Sequence, residues 1–156
     1  MMRLYLVQHG DAVPEAMNPE RPLSEKGRLD VKRLARFVGW SAFKARRIRH
    51  SGKLRARQSA ELLAPEMGEG EAPEVMPGLN PNDPVEPVAA QASAWQEDVL
   101  LVGHLPFLGR LAALLVCGDP ERPVAAFRPG TMACLERDAA GRWSIAWMLR
   151  PELLQG

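Results

Sequence analysis

Val99-Leu100-Leu101-Val102-Gly103-His104-Leu105-Pro106 sets an unbroken apolar run against a glycine, a histidine and a proline. A short run with no polar alternation is how a strand covered on both faces reads, and such strands belong to parallel sheets with helices above and below. Gly103 ends the run. Pro106 stands where proline opens a helix, its missing N–H no loss in the first turn, so Pro106 to Cys117 is predicted to be helical. A second run of the same kind, Leu4-Tyr5-Leu6-Val7, closes at Gly10 and reads as another buried central strand.

The rest of the chain fits around these two strands. Val13 to Pro22 holds three prolines among charged residues and reads as a surface loop. Ser24 is placed to cap a helix from Glu25 to about Gly39, whose stripe of Val31, Leu34, Ala35 and Val38 has a flank carrying Leu29, Arg33 and Arg36. Arg46 to His50 is a strand centred on Ile48, and Leu54 to Met67 a helix with Leu54, Ala60, Leu62 and Leu63 available for burial. Gly68 to Pro84 is chiefly loop with a short strand around Val75, and Val85 to Trp95 suits a helix. Thr131 to Arg137 and Trp143 to Leu149 alternate apolar with polar residues across Asp138-Ala139-Ala140-Gly141, the pattern of a β-hairpin. Strands alternating with helices and then a hairpin imply an α/β fold: a three-layer α/β/α sandwich with a mostly parallel sheet and an antiparallel C-terminal hairpin. At 156 residues the chain is expected to form one domain spanning 1–156.

Apolar residues at 46% and charged residues at 25% are those of an ordinary globule, and a formal net charge of +1 gives no bulk attraction to nucleic acid or to an anionic membrane. Cations can therefore matter only locally. Cys117 and Cys134, the two cysteines, are too few for a disulfide framework or a thiolate zinc site and read as small buried residues. No segment approaches the ~20 apolar residues of a membrane span, and the run at Leu4 is too short for a signal-peptide core. A cytoplasmic location is expected.

In open α/β sheets the ligand crevice lies beyond the carboxyl ends of the strands. Those ends carry Gln8-His9-Gly10, Ser51-Gly52-Lys53-Leu54-Arg55 and Gly103-His104, so the chain's three histidines, at 9, 50 and 104, all fall there. Neutral imidazole is a competent nucleophile near pH 7, and a neighbouring glycine lets backbone N–H groups approach an anion. Arg55, in the first turn of its helix, adds a guanidinium fork to a positive helix end. The combination suits phosphate. Arg21, in the loop after His9, is a further candidate cation.

These motifs resemble the histidine phosphatase (phosphoglycerate-mutase-like) superfamily, and within it the small SixA-type phosphohistidine phosphatases. Val7-Gln8-His9-Gly10 followed by Asp11-Ala12 resembles the family's strand ending in Arg-His-Gly. Arg21-Pro22-Leu23-Ser24 matches its Arg-Pro-Leu-Ser/Thr loop, and Ser51 to Ser59 is similar to Ser-Pro-x-x-Arg-Ala-x-Gln-Thr. Gly103-His104-Leu105-Pro106 matches Gly/Ser-His-x-Pro, so that the resemblance covers almost the whole chain. It implies that His9 attacks phosphorus and carries a transient phosphoryl group, while Arg55, His104 and Arg21 hold the equatorial oxygens, with Gln8 and Gly10 also lining the phosphate site. It implies no metal and no cofactor, a phosphohistidine-bearing protein as substrate and inorganic phosphate as product. The chain is too short for a sizeable lid, which favours an open pocket that admits a protein side chain. Asp83 and Glu86 are the nearest candidates for the carboxylic acid that other members use to protonate an alcohol leaving group.

Gln8 departs from the pattern, standing where the family carries arginine. Its amide can donate to a phosphate oxygen but brings neither charge nor a bidentate fork, a loss on the order of a hundredfold in rate. Two other readings stay open on sequence: a metal-dependent hydrolase using His9, Asp11 and His104, and a non-catalytic phosphohistidine-binding module in which Gln8 marks lost activity.

Overall fold

The computed structural model describes residues 1–155, so the last residue of the expected 1–156 unit lies outside the described residues. Six strands, β1 (Met2–Gln8), β2 (Arg47–His50), β3 (Glu74–Val75), β4 (Val99–Gly103), β5 (Met132–Arg137) and β6 (Trp143–Leu149), form one sheet in the order β3-β2-β4-β1-β5-β6. β3, β2, β4 and β1 run parallel, and β5 and β6 add the antiparallel hairpin. The helices are α1 (Glu25–Gly39), α2 (Leu54–Met67), α3 (Glu86–Ala94) and α4 (Phe107–Cys117), followed by a short 3-10 helix at Pro151–Leu153. This is the expected α/β/α sandwich.

The two apolar runs occupy the sheet's centre, with Leu4 to Val7 and Leu100 to Val102 wholly inaccessible. Side chains alternate across the sheet. Leu4, Leu6, Val99 and Leu101 pack on one face with Val88 of α3 and Phe107, Leu108 and Leu111 of α4. Tyr5, Val7, Leu100 and Val102 pack on the other with Val31, Leu34 and Val38 of α1 and Ala56, Ala60 and Leu63 of α2. Full burial of each such leucine contributes roughly 2 kcal/mol of transfer free energy.

Acidic residues meet the cations in and just before the basic strand β2. Arg47 lies 3.0 Å from Glu97, Arg46 3.6 Å from Glu71 and Arg49 3.7 Å from Glu74, while Ile48 is buried. Differences from expectation are local. Pro106 is the residue before α4 rather than in its first turn. In α2, Leu54 and Leu62 are only partly covered, and Ala56, Ser59 and Met67 join Ala60 and Leu63 in the interior. Cys134 is buried on β5, but Cys117 is exposed, a correction with a simple cause: it is the last residue of α4, where the helix runs off the sheet to left-handed Gly118. A register irregularity between Cys134 and Leu135 also had no signature in the alternating pattern.

Candidate active site

Register brings the histidines together. Val7 pairs with Val102 and Gln8 with Gly103, while His50 pairs with Val102 from the other side, so β1, β4 and β2 end at one level. His9 continues β1, its N–H donating to Gly103 O at 3.1 Å, and Gly130 N–H donates to both Gln8 O and His9 O at 3.0 and 3.1 Å. Beyond His9 the chain is clamped to α1. Ser24 caps that helix by accepting from Gly27 N–H at 3.0 Å and donates to the Asp11 carboxylate at 2.6 Å. A side chain at Gly27 would lie 2.0 Å from Asp11 O, and one at Gly10 would lie 2.8 Å from Val31, so both glycines are required for the approach of α1.

His9 is 8% exposed and its orientation fixes its tautomer. Nδ1 lies 2.7 Å from Gly10 O, an acceptor, so Nδ1 carries the proton and Nε2 the lone pair. Arg55 Nε–H, 3.4 Å from His9 Nε2, points a donor at that lone pair. The His104 ring lies 4.9 Å from the His9 ring, centroid to centroid, and its Nε2 lies 2.6 Å from Ser51 Oγ, leaving Nδ1 buried without a protein partner. Burial, with Arg55 and Arg21 adding to it, pushes the His9 imidazole down to about 4 against the pull of Gly10 O and Asp11. For His104, burial, then His9, Arg55, Lys53 and Arg21, pushes it down to about 3. Arg55 is lowered by burial and by Arg21. Cations thus crowd two neutral imidazoles with little compensating negative charge, an electrostatic debt that a bound anion would discharge.

Arg21 reaches this cluster through the loop expected between Val13 and Pro22. Val13 N–H donates to Pro22 O at 2.8 Å, and Arg21 takes a left-handed φ of 49°, its Nε–H donating to Val13 O at 3.2 Å. That conformation costs a non-glycine residue about 1 kcal/mol or more. Gln8 is 8% exposed, with its amide oxygen buried and unpartnered. Gly10, expected to offer its N–H to an anion, gives it to Ser59 Oγ at 3.0 Å instead, because the tight approach of α1 turns its amide toward α2. The Asp83 carboxylate accepts from Asn80 N–H at 2.9 Å within its own loop, and Glu86 is exposed in the first turn of α3. Neither is among the charges that bear most on His9 or His104.

The cluster also contains side chains to which the sequence reading gave no role. Ser51 holds His104, Ser59 holds Gly10, and Gln58 Oε1 accepts from Leu23 N–H at 2.8 Å, tying the Arg21 loop to α2. A signal was present, since Arg55, Gln58 and Ser59 stand at i, i+3 and i+4 and share one face of α2. The metal-site arrangement is not assembled. Asp11 is engaged by Ser24, and among the described residues no group of three or more His, Cys, Asp or Glu side chains is grouped to hold an ion.

No family model matches the chain. It is 29% identical over 155 residues to phosphohistidine phosphatase SixA of Escherichia coli (strain K12), covering 96% of this chain and 94% of that protein. The solved structure of the protein histidine phosphatase SixA complexed with tungstate superposes with a TM-score of 0.87 at 28% identity, covering 99% of this chain and 100% of that one. The chain belongs to the histidine phosphatase superfamily. An uncharacterised protein of Picosynechococcus is similar as well, 34% identical over 126 residues, covering 76% of this chain and 75% of that protein. Membership of the superfamily accounts for the phosphoglycerate-mutase-like sheet order, and for three separated motifs following β1, β2 and β4 at one strand-end level. Among the described residues no helix is long and apolar enough to cross a membrane.

Proposed function

We propose that this protein is a cytoplasmic phosphohistidine phosphatase that removes phosphate from a phosphohistidine-bearing protein through a phospho-His9 intermediate. One observation carries the reading: a buried imidazole whose Nε2 lone pair faces Arg55, with Arg21 also acting on it, and among the described residues neither arginine is held in an ion pair. The tungstate in the SixA structure, a tetrahedral oxyanion, supports it, as does that protein's similarity along nearly the whole chain.

In this reaction His9 Nε2 attacks phosphorus in line with the departing imidazole of the substrate. The new N–P bond forms as the old one breaks, and the leaving imidazole takes its proton from solvent. Arg55, Arg21 and the His104 Nδ1–H hold the equatorial oxygens, with the Gln8 amide as an uncharged additional donor. Water then attacks phospho-His9, releasing inorganic phosphate and restoring the Nε2 lone pair, while Gly10 O keeps Nδ1 protonated throughout. Imidazole leaves more readily than alkoxide, so the reaction has little need of a carboxylic acid at Asp83 or Glu86.

The test compares wild type with His9→Ala on a phosphohistidine protein and on a simple phosphomonoester, together with trapping of a labelled, acid-labile phosphoryl group. Loss of both activities and of the label on His9→Ala is the expected result. Equal turnover by the two proteins would overturn the assignment, and phosphohistidine binding without turnover or label in wild type would leave a binding module instead.

A further inference from the structure

The face of α1 turned away from the sheet is unusual. Leu29, Lys32, Arg33, Arg36, Phe37 and Trp40 recur at i, i+3, i+4, i+7, i+8 and i+11, one stripe opposite the buried Val31, Leu34 and Val38. A solvated stripe is expected to be polar, yet Leu29, Phe37 and Trp40 are 48%, 52% and 82% exposed. With Leu153 and Leu154 after β6, the stripe walls a groove of about 620 Å³, and Phe37 is shared with a smaller, almost wholly apolar groove against Phe43 and Trp147. Exposed aromatics gathered beside a concavity mark a contact surface.

Charge says what belongs there. Among the described residues Lys32, Arg33 and Arg36 have no carboxylate within ion-pair distance, and Glu152, nearby in sequence to Leu153, lies 3.2 Å from Arg150. A second copy of this chain meeting the groove across a two-fold axis would set the same three cations against themselves. A concave groove with apolar anchors and a cationic rim fits a helix better than it fits a flat bilayer.

We propose that the α1 groove docks an acidic amphipathic helix of a partner protein, its apolar residues seated against Phe37, Trp40 and Leu153 and its carboxylates on Lys32, Arg33 and Arg36. The proposal does not rest on the reaction assigned above, because the stripe lies outside the His9 cluster. The partner's helix would supply in trans the carboxylates that Lys32, Arg33 and Arg36 do not find among the described residues.

The experiment uses the full chain and a synthetic helical peptide of about four turns, with leucines at i, i+3, i+4 and i+7 and glutamates elsewhere. A matched peptide carries lysine in place of every glutamate. By fluorescence anisotropy the acidic peptide should bind at least about tenfold more tightly than the basic one, and more weakly as salt rises. Arg33→Glu with Arg36→Glu, and separately Trp40→Ser, should each weaken it by about tenfold or more, with melting temperature and phosphomonoester turnover unchanged. Indifference to peptide charge, no binding of either peptide, or binding untouched by these substitutions would overturn the proposal. So would capture of the protein by phosphatidylserine vesicles through the same residues without peptide binding, or a dimer that the substitutions dissociate.

Discussion

His9 and His50 end neighbouring parts of one sheet, and both are buried, at 8% and 3% exposure, with imidazoles pushed below their ordinary range chiefly by burial. Burial and a depressed pKa therefore do not distinguish them. Their hydrogen bonds do. His50 Nδ1 accepts from Gly52 N–H at 3.1 Å, which spends its lone pair on shaping the turn into α2. His9 spends its proton on Gly10 O and keeps its lone pair facing Arg55. A histidine becomes a nucleophile here through which nitrogen its backbone claims, while the turn braced by His50 leads into the helix that carries Arg55.

The strongest way to break that contrast is to remove each ring. His9→Ala should lower phosphohistidine phosphatase kcat by about a thousandfold or more, with the fold intact by circular dichroism. His50→Ala should cost roughly 1–3 kcal/mol of stability in urea unfolding, from one lost hydrogen bond and a small cavity, and leave kcat within several-fold. A fall in kcat on His50→Ala as large as on His9→Ala would mean that Arg55 cannot be positioned without it.

Gln8→Arg sharpens the contrast from the other side, since it restores a cation beside the reactive ring. Turnover should rise by up to about a hundredfold, while thermal stability falls without phosphate and recovers with it, as a buried cation joins the partly buried Arg55 and Arg21. The unpartnered Gln8 amide oxygen means that no protein hydrogen bond through that atom opposes the exchange. A fall in turnover, measured on the phosphohistidine protein, would show that the amide has a purpose of its own.

Much of this was legible in the sequence, for reasons visible in particular residues. Leu4 to Val7 and Val99 to Val102 have only one comfortable environment, a strand between two layers, and once they are parallel neighbours Gly103 sits opposite Gln8. Ser24 capped its helix because a hydroxyl three residues before Gly27 is placed to accept that otherwise unpaired first-turn N–H. The fate of the Gly10 amide was not legible. Which group the Gly10 N–H meets depends on how closely α1 approaches the segment after β1, where Gly27 meets Asp11, and on Ser59 arriving from α2, contacts without local signature. Ser51 was hidden for the same reason, as a short polar residue whose partner arrives from the end of another strand, whereas Ser59 shared a helix face with Arg55 and only its partner was hidden.

Acid tests the buried rings together. All three folded-state histidines titrate below the ordinary value near 6.5, so the unfolded chain takes up protons first as pH falls. Their contribution to stability is full above about pH 6.5 and is lost progressively as pH falls toward about 4 for His9 and about 3 for His104. Between pH 7 and pH 5 the melting temperature of wild type should fall by roughly 3–6 °C more than that of His9→Gln, which has no ring to protonate. Equal slopes in calorimetry would place the His9 pKa near its ordinary value and remove burial as its controlling influence.

The smallest expected effect belongs to Ser51. Its Oγ lies 3.4 Å from Lys53 N–H and 2.6 Å from His104 Nε2, so the hydroxyl accepts weakly from the backbone and is free to donate to the ring. Donation there places the His104 proton on Nδ1, the buried atom that has no protein partner and that a phosphoryl oxygen would satisfy. Ser51→Ala removes the constraint and not the ring. About 1 kcal/mol is at stake, so kcat/KM should fall about fivefold, through kcat more than KM, and Ser51→Thr should recover it. A serine that merely packed the turn would shift melting temperature and leave that kcat-to-KM split unmoved. A hundredfold fall would instead place Ser51 on the phosphoryl group itself, beside His9 rather than behind His104.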